Sequence, residues 1–365
     1  MLSQLTIQFR KRRRKLRIKY LHEPERIEKM RCFIRSHGGS VRFDQYIEEH
    51  LYGEDGYYTG AEPFTQFHTD AQDNRFAHLM RSYVRKNGFT NKTFIELAGG
   101  DGTFKRNFLA LEGSCQDYRS VEISPKLLDC QTNGFKMPGH LTNAARLPFE
   151  DNSIEGIIFA NELLDATPFR VLEGPSTTTY GGPVFTREWY VTESSLKTGA
   201  PAKRPLDLLD RFVEECQWYY DSIGYGQFSN RMQCVSSLNT DILNELSRVL
   251  HSGTILLFDY GYGCAHTDQF PNYRTQPYIL AGTDWRRLFW HPYRTDATRF
   301  IDFFHLESLA LRVFPNARVM HLRQDHFFRK IAYSDPEVSE RLRTSFLIEG
   351  WENEFPVHVL IIKKE

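Results

Sequence analysis

The sequence of 365 residues predicts an α/β fold, in which a mostly parallel sheet is covered by helices on both faces. Two observations lead to this prediction. From residue 76 onward, short apolar runs alternate with amphipathic helical patterns. The runs, such as Ile157–Ala160 and Ile255–Phe258, are apolar at every position, which is typical of parallel strands buried on both faces. They are far shorter than the ~20 residues that cross a bilayer, so no membrane span is expected.

Composition places the chain among ordinary globular proteins and divides its charge unevenly. It is 41% hydrophobic and 25% charged, and its 46 basic and 46 acidic residues cancel. Eight of the basic residues fall within residues 1–22, which contain no acid. The rest of the chain is therefore acidic on balance. This argues against a nucleic-acid-binding face, and no nucleic-acid partner is expected.

The cysteines and histidines indicate neither disulfides nor a metal site. The six cysteines are scattered without a CxxC pair, and no apolar signal-peptide core precedes them. The histidines at positions 266, 291, 305 and 321 lack a metal-binding spacing such as HxxxH. The sequence therefore predicts a reducing compartment, the cytoplasm, and no bound metal.

Residues 1–23 form a basic N-terminal segment with three interpretations. A solvated helix or flexible arm is the preferred one, and docking to an acidic surface is another. The third is a mitochondrial presequence, with the mitochondrial matrix as the alternative location, because residues 1–22 are rich in Arg and contain no acid. A single Ser and the dense block Lys11–Lys15 argue against that third interpretation.

Residues 24–75 are predicted to form a small N-terminal helical module. Pro24 opens a helical pattern that ends at Gly38 and Gly39, because proline suits the first turn of a helix and glycine its end. A second short helix follows, with an aromatic turn at residues 56–58 after it. The apolar and aromatic face of that helix consists of Phe43, Tyr46, Ile47, His50 and Leu51.

Residues 76–365 are predicted to form the main domain. Its first half alternates between helical and strand periods. The expected elements are a helix at 76–87, a strand at 94–97, a helix at about 103–111, a strand ending at 121–123, a helix from Pro125, a short strand at 140–142 and a strand at 156–160.

Two insertions interrupt the alternation, after the fourth and fifth strands of the sheet. Residues 170–235 are rich in Thr, Gly, Tyr and Pro, with a hairpin expected at 185–191, and residues 261–300 are loop-rich and aromatic. The first is expected to be a plain insertion or a substrate cap, and the aromatic residues of the second either line a substrate cap or pack the insertion itself. The remaining elements are a helix at 242–250, a strand at 254–260, a helix at 305–314, a strand at 317–323, a helix at 336–346 and a closing strand at 356–362.

The most informative motif is the glycine-rich turn at residues 98–102, which follows the strand Phe94–Leu97 and precedes a helix. Such a turn lets the backbone approach a ligand closely, with free amides at the helix N-terminus. About 20 residues further on, Glu122 ends the next strand, where a carboxylate can accept both hydroxyls of a ribose. The pattern suits a dinucleotide or S-adenosyl-L-methionine.

Two details favour S-adenosyl-L-methionine. The turn is preceded by Glu96, whose charge would repel a pyrophosphate but suits a sulfonium amino acid without phosphate. In addition, residues 143–158 resemble the segment that passes the adenine and enters the fourth strand in class I methyltransferases. That resemblance implies that Asn143 lies near the adenine amino group.

The segment Ala160–Pro168 extends the resemblance to a named family. Its sequence Ala-Asn-Glu-Leu-Leu-Asp-Ala-Thr-Pro is similar to the Ala-Asn-Glu-Phe-Phe-Asp-Ala-Leu-Pro signature of the MidA-like methyltransferases, the family of the mitochondrial complex I assembly arginine methyltransferase. Further similar segments follow in the family's order across residues 30–320. They are residues 39–46, 51–52 and 56–58, Val121–Pro125, Leu256–Gly261 and Phe300–Phe303.

The resemblance implies a Rossmann-like class I methyltransferase sheet and an S-adenosyl-L-methionine site. The residues expected to bind this cofactor are Glu96, Ala98, Gly100, Gly102, Glu122, Ile123, Asn143 and Ala144. The sequence departs from the family in this turn, where Ala98 replaces a glycine, Gly99 a proline and Asp101 an arginine.

The candidate catalytic residues are Asn161, Glu162 and Asp165, which follow the fourth strand at the edge of the sheet where ligands bind. Two acids three residues apart would share one face of a following helical turn and hold a guanidinium or amine. The alternative is that they cap that helix. Asp259, at the end of the fifth strand, is expected either to complete the acceptor pocket or to serve only the turn.

We therefore expect an S-adenosyl-L-methionine-dependent methyltransferase that N-methylates an arginine of a protein or peptide acceptor. A methyltransferase acting on a small-molecule nitrogen or oxygen nucleophile is one alternative. An assembly factor that uses the cofactor fold mainly as a scaffold is another. The sequence leaves the oligomeric state open, with a homodimer among the options.

Overall fold

The computed structural model describes residues 24–60, 69–111, 115, 117–133, 137–175, 183–222, 232–262, 279–280, 286–336, 338, 347 and 357–365. The basic segment 1–23 lies outside these residues, so its role stays a prediction. Within the described residues, no helix has the length and apolar character that crossing a membrane requires.

Helices and strands alternate along the described chain. The helices are α1 Pro24–Ser36, α2 Phe43–Tyr52, α3 Asn74–Lys86, α4 Thr103–Leu109, α5 Pro125–Thr132, α6 Glu193–Thr198, α7 Arg211–Ser222, α8 Leu238–Val249, α9 Arg287–Trp290, α10 Phe303–Val313 and α11 Gln324–Ser334, with a 3-10 turn at Asp70–Gln72. The strands are β1 Ser40–Arg42, β2 Thr93–Leu97, β3 Asp117–Glu122, β4 Gly139–Leu141, β5 Ile154–Asn161, β6 Arg170–Glu173, β7 Arg187–Thr192, β8 Ala202–Pro205, β9 Met232–Val235, β10 Leu250–Tyr262, β11 Ile279–Leu280, β12 Thr298–Arg299, β13 Ile301–Asp302, β14 Arg318–Arg323 and β15 Val357–Lys364.

The central sheet has the strand order β14-β15-β10-β5-β2-β3-β4, with β13 added to the end of β10. Strands β4, β3, β2, β5 and β10 are parallel to one another. Strand β15 is antiparallel to both of its neighbours. The predicted mostly parallel sheet is confirmed. The chain runs outward from β2 through β3 and β4 and then returns to β5, so a ligand crevice is expected where β2 and β5 end.

Helices cover both faces of this sheet. On one face, Phe76 of α3, Phe104 of α4 and Phe328 of α11 pack against the strands. On the other face, Ile242 of α8 and Leu306 of α10 belong to a second apolar cluster. The two clusters form the core that the sequence predicts for a sheet buried on both sides.

A second, smaller sheet joins the N-terminal helical module to the first insertion. Strand β1 pairs antiparallel with β7, so that Ser40 lies opposite Thr192. Strands β6 and β8 also pair with β7, and β9 pairs with β6. The hairpin expected at residues 185–191 is therefore wrong, because those residues enter one strand with three partners. The domain boundaries themselves stay predictions.

Helix α11 was not predicted from the sequence. A helix was expected at 336–346 instead, and nearly all of that range lies outside the described residues. The first residues of α11, Gln324 and Asp325, are polar yet buried, whereas Phe327, Phe328 and Ile331 pack into the core. Because buried polar residues at its start break the helical pattern, no clear 3.6-residue period marks this helix in the sequence.

His50 of α2 is a buried histidine that holds the segment leading to β12. Its Nδ1 accepts a hydrogen bond from the amide of Tyr293 (3.1 Å), so its Nε2 carries the proton and donates to the carbonyl of Thr295 (2.6 Å). Burial lowers the pKa of His50 to about 4. The native state therefore requires the neutral ring.

We expect this histidine to destabilise the fold as the pH falls below about 6.5. The unfolded chain binds a proton near the ordinary histidine pKa of about 6.5, whereas the folded state resists protonation until about pH 4. The free energy of unfolding should drop by about 2 kcal/mol between pH 7.5 and pH 5. Urea unfolding of the wild type and of His50→Gln at both pH values measures this, since other titrating groups act equally in both proteins. Equal pH dependence in the two proteins would contradict the assignment.

Candidate functional site

The glycine-rich turn after β2 is tightly wound. Ala98, Gly100 and Gly102 all have positive φ angles, of 53°, 54° and 72°. A Cβ at Gly99 would lie 2.5 Å from Oε2 of Glu96, and Gly102 directly precedes α4. The turn therefore presents bare backbone at the carboxyl end of β2.

The side chain of Glu96 lies beneath this turn. It is buried and accepts a hydrogen bond from the hydroxyl of Tyr118 at 2.6 Å. Burial raises the pKa of Glu96 to about 7, against the hydrogen bond from Tyr118 and the charge of Lys105, which lower it. In this position Glu96 supports the backbone of the turn, and a ligand above the turn would meet that backbone first.

Glu122 ends β3 with its carboxylate fixed on both sides. Its Oε1 accepts from the amides of Ile123 (2.9 Å) and Ser124 (3.0 Å), and its Oε2 accepts from Nε2 of Gln131 (3.0 Å). Burial raises the pKa of Glu122 to about 7, and these hydrogen bonds oppose the rise. Nε2 of Gln131 also donates to the carbonyl of Gly100 (3.0 Å), so one buried amide ties the turn to the acid.

A cleft of about 630 Å³ opens at the carboxyl ends of β2, β3 and β5. Its lining residues are Tyr52, Tyr58, Gln72, Ala98, Gly100, Asp101, Glu122, Ile123, Leu127, Glu162, Leu163 and Ala166. Five of the predicted site residues are thus brought together. The sequence missed the lining tyrosines and Gln131, because nothing in their local patterns marks them as more than core or helix residues.

Asn143, the predicted adenine contact, and Ala144, another predicted cofactor-binding residue, follow β4, and their contact with the cofactor stays a prediction. Asn143 is exposed, and its Oδ1 accepts from the amide of Ala145 at 2.9 Å, which forms a local turn. Ala144 packs against the apolar cluster of α8 and α10. Neither residue is among those that line the cleft. Gly102 is also absent from the lining, because it turns the chain into α4.

The chain after β5 forms a turn and not a helix. Residues 162–169, all of which the structure describes, contain no helical residue, and Glu162 has a φ of 54°. The shared helical face and the helix-cap alternative are therefore both wrong. Oδ2 of Asp259 accepts from the amides of Leu164 (2.8 Å) and Asp165 (3.1 Å), so Asp259 stabilises this turn from the next strand.

The acids of this turn have raised pKa values. Burial, and then the neighbouring carboxylates Asp165 and Asp259, raise the pKa of Glu162 well above its usual value. Burial also raises the pKa of Asp165 to about 6, against the hydrogen bond from Thr298 and the charge of Arg299. These carboxyl groups would therefore bind a proton or another cation in preference to remaining unpaired anions.

Two buried oxygens at this turn lack a protein partner. Asn161 donates to Oγ1 of Thr69 and to Oε1 of Glu162, each at 3.2 Å, but its own Oδ1 accepts no hydrogen bond from the described residues. The same holds for Oδ1 of Asp165, whose Oδ2 accepts from Thr298 at 3.0 Å. Buried acceptors without donors are costly, so they indicate a ligand donor.

Arg299 stabilises the turn after β5 through hydrogen bonds. Its buried Nη2 donates to the carbonyl of Leu164 (3.1 Å), to Oγ1 of Thr167 (3.2 Å) and to Oδ1 of Asn239 (3.1 Å). Its backbone amide donates to the carbonyl of Asp165 (3.2 Å). Arg299 thus fixes the loop and provides a buried positive charge beside its acids.

A comparison with known protein families indicates which ligand this cleft binds. A family of protein sequences described as "Putative S-adenosyl-L-methionine-dependent methyltransferase" matches residues 76–314, which is more than half of the chain. The chain belongs to this family. It is an S-adenosyl-L-methionine-dependent methyltransferase, and S-adenosyl-L-methionine is its cofactor.

Solved structures confirm the fold of this methyltransferase. A COG1565 superfamily member from Burkholderia thailandensis, solved with S-adenosyl-homocysteine, is 17% identical and has a TM-score of 0.67, with 94% of this chain and 95% of that chain covered. A second COG1565 structure from the same organism is 18% identical, with a TM-score of 0.69 and 94% of each chain covered. A search of curated proteins found no match.

The cleft of the methyltransferase fits the cofactor. The described lining contains the acids Asp101, Glu122 and Glu162 and no Lys, Arg or His. Such a wall offers no cationic side chain to a pyrophosphate but suits a sulfonium and an ammonium group, which favours this cofactor over a dinucleotide. In the described part of the chain, no cluster of His, Cys, Asp and Glu could hold a metal ion.

We expect Glu122→Gln to weaken S-adenosyl-homocysteine binding by about 5- to 150-fold, which corresponds to ~1–3 kcal/mol for unpaired hydroxyls. The amide would place a donor against the amides of Ile123 and Ser124 and could no longer accept both ribose hydroxyls. Calorimetry measures the affinity. Glu155→Gln is the control, since Glu155 lies on the exposed side of β5 and pairs with Lys92. Equal affinities in both variants would refute the assignment of Glu122.

Proposed function

We propose that this methyltransferase N-methylates the guanidinium group of an arginine in a protein or peptide. The observation that carries the proposal is the turn after β5, where the half-buried Glu162 lies near the buried Asp165, and where Oδ1 of Asp165 accepts no hydrogen bond from the described residues. A planar guanidinium has five N–H donors and suits paired carboxylates.

The charges of the turn favour a cationic acceptor. The charges of Asp165 and Asp259 raise the pKa of Glu162, and the charge of Asp165 also raises the pKa of Asp259, while Arg299 supplies an opposing charge beside Asp165. An acceptor with a phosphate or carboxylate would add to this repulsion. A guanidinium would relieve it and lower the pKa of the acids that it contacts.

The cofactor supplies an electrophilic methyl group on a sulfonium, and the residues of the turn orient the acceptor. Asp165 and Glu162 accept N–H hydrogen bonds and hold one guanidinium nitrogen toward the cleft. When the nitrogen gains a methyl group, it must lose one proton. The Glu162 carboxylate, ionised while the cation is bound, accepts that proton, since its high pKa makes it a base of suitable strength.

Sequence resemblance supports the same acceptor. Residues 160–168, which form the end of β5 and the turn, carry the signature that resembles the MidA-like methyltransferases. The resembling segments at 39–46 and 56–58 belong to the N-terminal helical module, whose Tyr52 and Tyr58 line the cleft. The resemblance therefore extends to elements around the acceptor end of the cleft.

Labelled S-adenosyl-L-methionine tests the proposal. The enzyme is incubated with the cofactor and a cell lysate, and labelled proteins are hydrolysed to amino acids. The proposal expects label in methylarginine. Label in small molecules would favour the alternative small-molecule methyltransferase. Binding of S-adenosyl-homocysteine without any transfer of label would favour the scaffold alternative.

A further inference from the structure

Tyr58 connects the N-terminal helical module to both ends of the cleft. Its carbonyl accepts from Oγ of Ser124 at 2.7 Å, next to Glu122. Its hydroxyl donates to Oδ1 of Asp296 at 2.9 Å. Its ring stacks on Tyr52, with centroids 5.6 Å apart, and the Tyr52 hydroxyl donates to the carbonyl of Ala166. One tyrosine thus spans from the cofactor side to an acid of the second insertion.

The backbone around Asp296 is held in place on both sides. On one side, His50 binds the amide of Tyr293 and the carbonyl of Thr295. On the other side, the hydroxyl of Thr298 donates to Oδ2 of Asp165 at 3.0 Å. Asp296 therefore lies between two fixed points, and the second of them is a candidate acceptor-binding acid.

Asp296 faces another acid and no cation. Burial, and then the charge of Asp165, raise the pKa of Asp296 to about 7, against the hydrogen bond from Tyr58. None of the described cationic side chains forms an ion pair with Asp296 or lowers its pKa. An independent observation points to a missing donor here, because Oδ1 of the buried Asp165 accepts no hydrogen bond from the described residues. Among the described residues, Asp296 thus has no cationic partner, and Asp165, whose charge Arg299 opposes, keeps one oxygen without a donor.

We propose that Asp296 binds the cationic acceptor together with Glu162 and Asp165, and that Tyr58 is the positioning residue that holds Asp296 in place. The inference rests on the proposed function, since the ligand that supplies the cation is the guanidinium. It assigns the N-terminal helical module a part in acceptor recognition, through one hydroxyl 238 residues away in sequence.

The test uses the full chain loaded with S-adenosyl-homocysteine and two probes, acetyl-arginine amide and its uncharged analogue acetyl-citrulline amide. Binding is followed by NMR titration for the wild type, Asp296→Asn, Tyr58→Phe and the double variant. Tyr46→Phe is the control, because Tyr46 lies in the same module and donates to the Leu288 carbonyl outside the cleft. Thermal melting of each variant shows that it is folded.

The proposal expects the wild type to prefer the arginine probe. Asp296→Asn should weaken arginine binding by about 10-fold and Tyr58→Phe by about 3- to 10-fold, with S-adenosyl-homocysteine affinity within twofold of the wild type. Because Tyr58 acts through Asp296, the double variant should be no weaker than Asp296→Asn alone. Tyr46→Phe should match the wild type.

The outcomes separate this inference from the proposed function. A wild type that binds both probes equally, or neither, overturns the proposed function and the inference with it. A wild type that prefers arginine and loses that preference in Glu162→Gln but not in Asp296→Asn overturns the inference alone. Additive losses in the double variant would overturn the positioning role of Tyr58. If Asp296→Asn does not fold, unchanged arginine binding by Tyr58→Phe overturns the inference.

Discussion

Replacing Glu162 with glutamine is expected to lower the turnover number by about 10²- to 10⁴-fold, the usual effect of removing a proton acceptor. Glutamine keeps the size of the side chain and its contact with Asn161. It loses the negative charge that orients the acceptor and the ability to take its proton. Affinity for S-adenosyl-homocysteine should stay within a few-fold of the wild type, because the amide still fills that wall of the cleft.

Single-turnover transfer of label, measured beside calorimetry, checks this expectation. Glu193→Gln is the matched control, since Glu193 is on the surface, where it pairs with Arg35. If Glu162→Gln lost cofactor affinity or thermal stability while retaining its rate, Glu162 would be a structural residue of the turn.

Replacing Gly156 with alanine is expected to lower the free energy of unfolding by more than ~4 kcal/mol, which is exceptional for a point substitution. Gly156 lies in β5 with a φ of 149°, and a Cβ there would lie 2.0 Å from the carbonyl oxygen of Thr93 in β2. The clashing atom belongs to the backbone of a central strand, so it cannot rotate away. The strands would have to separate.

Urea denaturation of Gly156→Ala and Gly88→Ala compares this clash with backbone strain alone. Gly88 also has a positive φ, of 75°, but a Cβ there would have no atom within 4 Å. Gly88→Ala should cost only ~1–2 kcal/mol, the ordinary penalty of a left-handed residue. Similar losses in the two variants would show that the strands around Gly156 can adjust.

The sequence predicted those parts of the site that are formed by residues close to one another along the chain. The turn at 98–102 and the acid at Glu122 follow from a strand, a glycine-rich turn and a helix in succession, and the structure brings them to one cleft. The acids after β5 were found by their position at a strand end. The conformation of these acids could not be predicted in the same way, because it depends on Asp259, about 95 residues later. The Asp259 carboxylate accepts backbone hydrogen bonds from the turn that replaces the expected helix.

The residues that the sequence missed act across long separations. Gln131 looks like any polar residue of a helix, and only the fold brings its amide between Gly100 and Glu122. The sequence marks Tyr58 only as part of an aromatic turn, and its partner Asp296 lies 238 residues later, in the loop-rich second insertion. No local sequence periodicity or motif indicates these contacts between distant parts of the chain. The adenine contact of Asn143 stays a prediction, with the side chain in a local turn.

The pairing of β1 with β7 has a consequence for the order of synthesis. Residues 40–42 find their partners at 190–192, so the module leaves the ribosome about 8–30 s before its partner strand, at ~5–20 residues per second. Until then, the side chain of Phe43 has no Trp189 to pack against, and Tyr46 waits longer still for Phe289. A nascent chain interrupted before residue 187 would therefore expose an aggregation-prone aromatic surface. Its first two helices would then depend on chaperones to stay soluble.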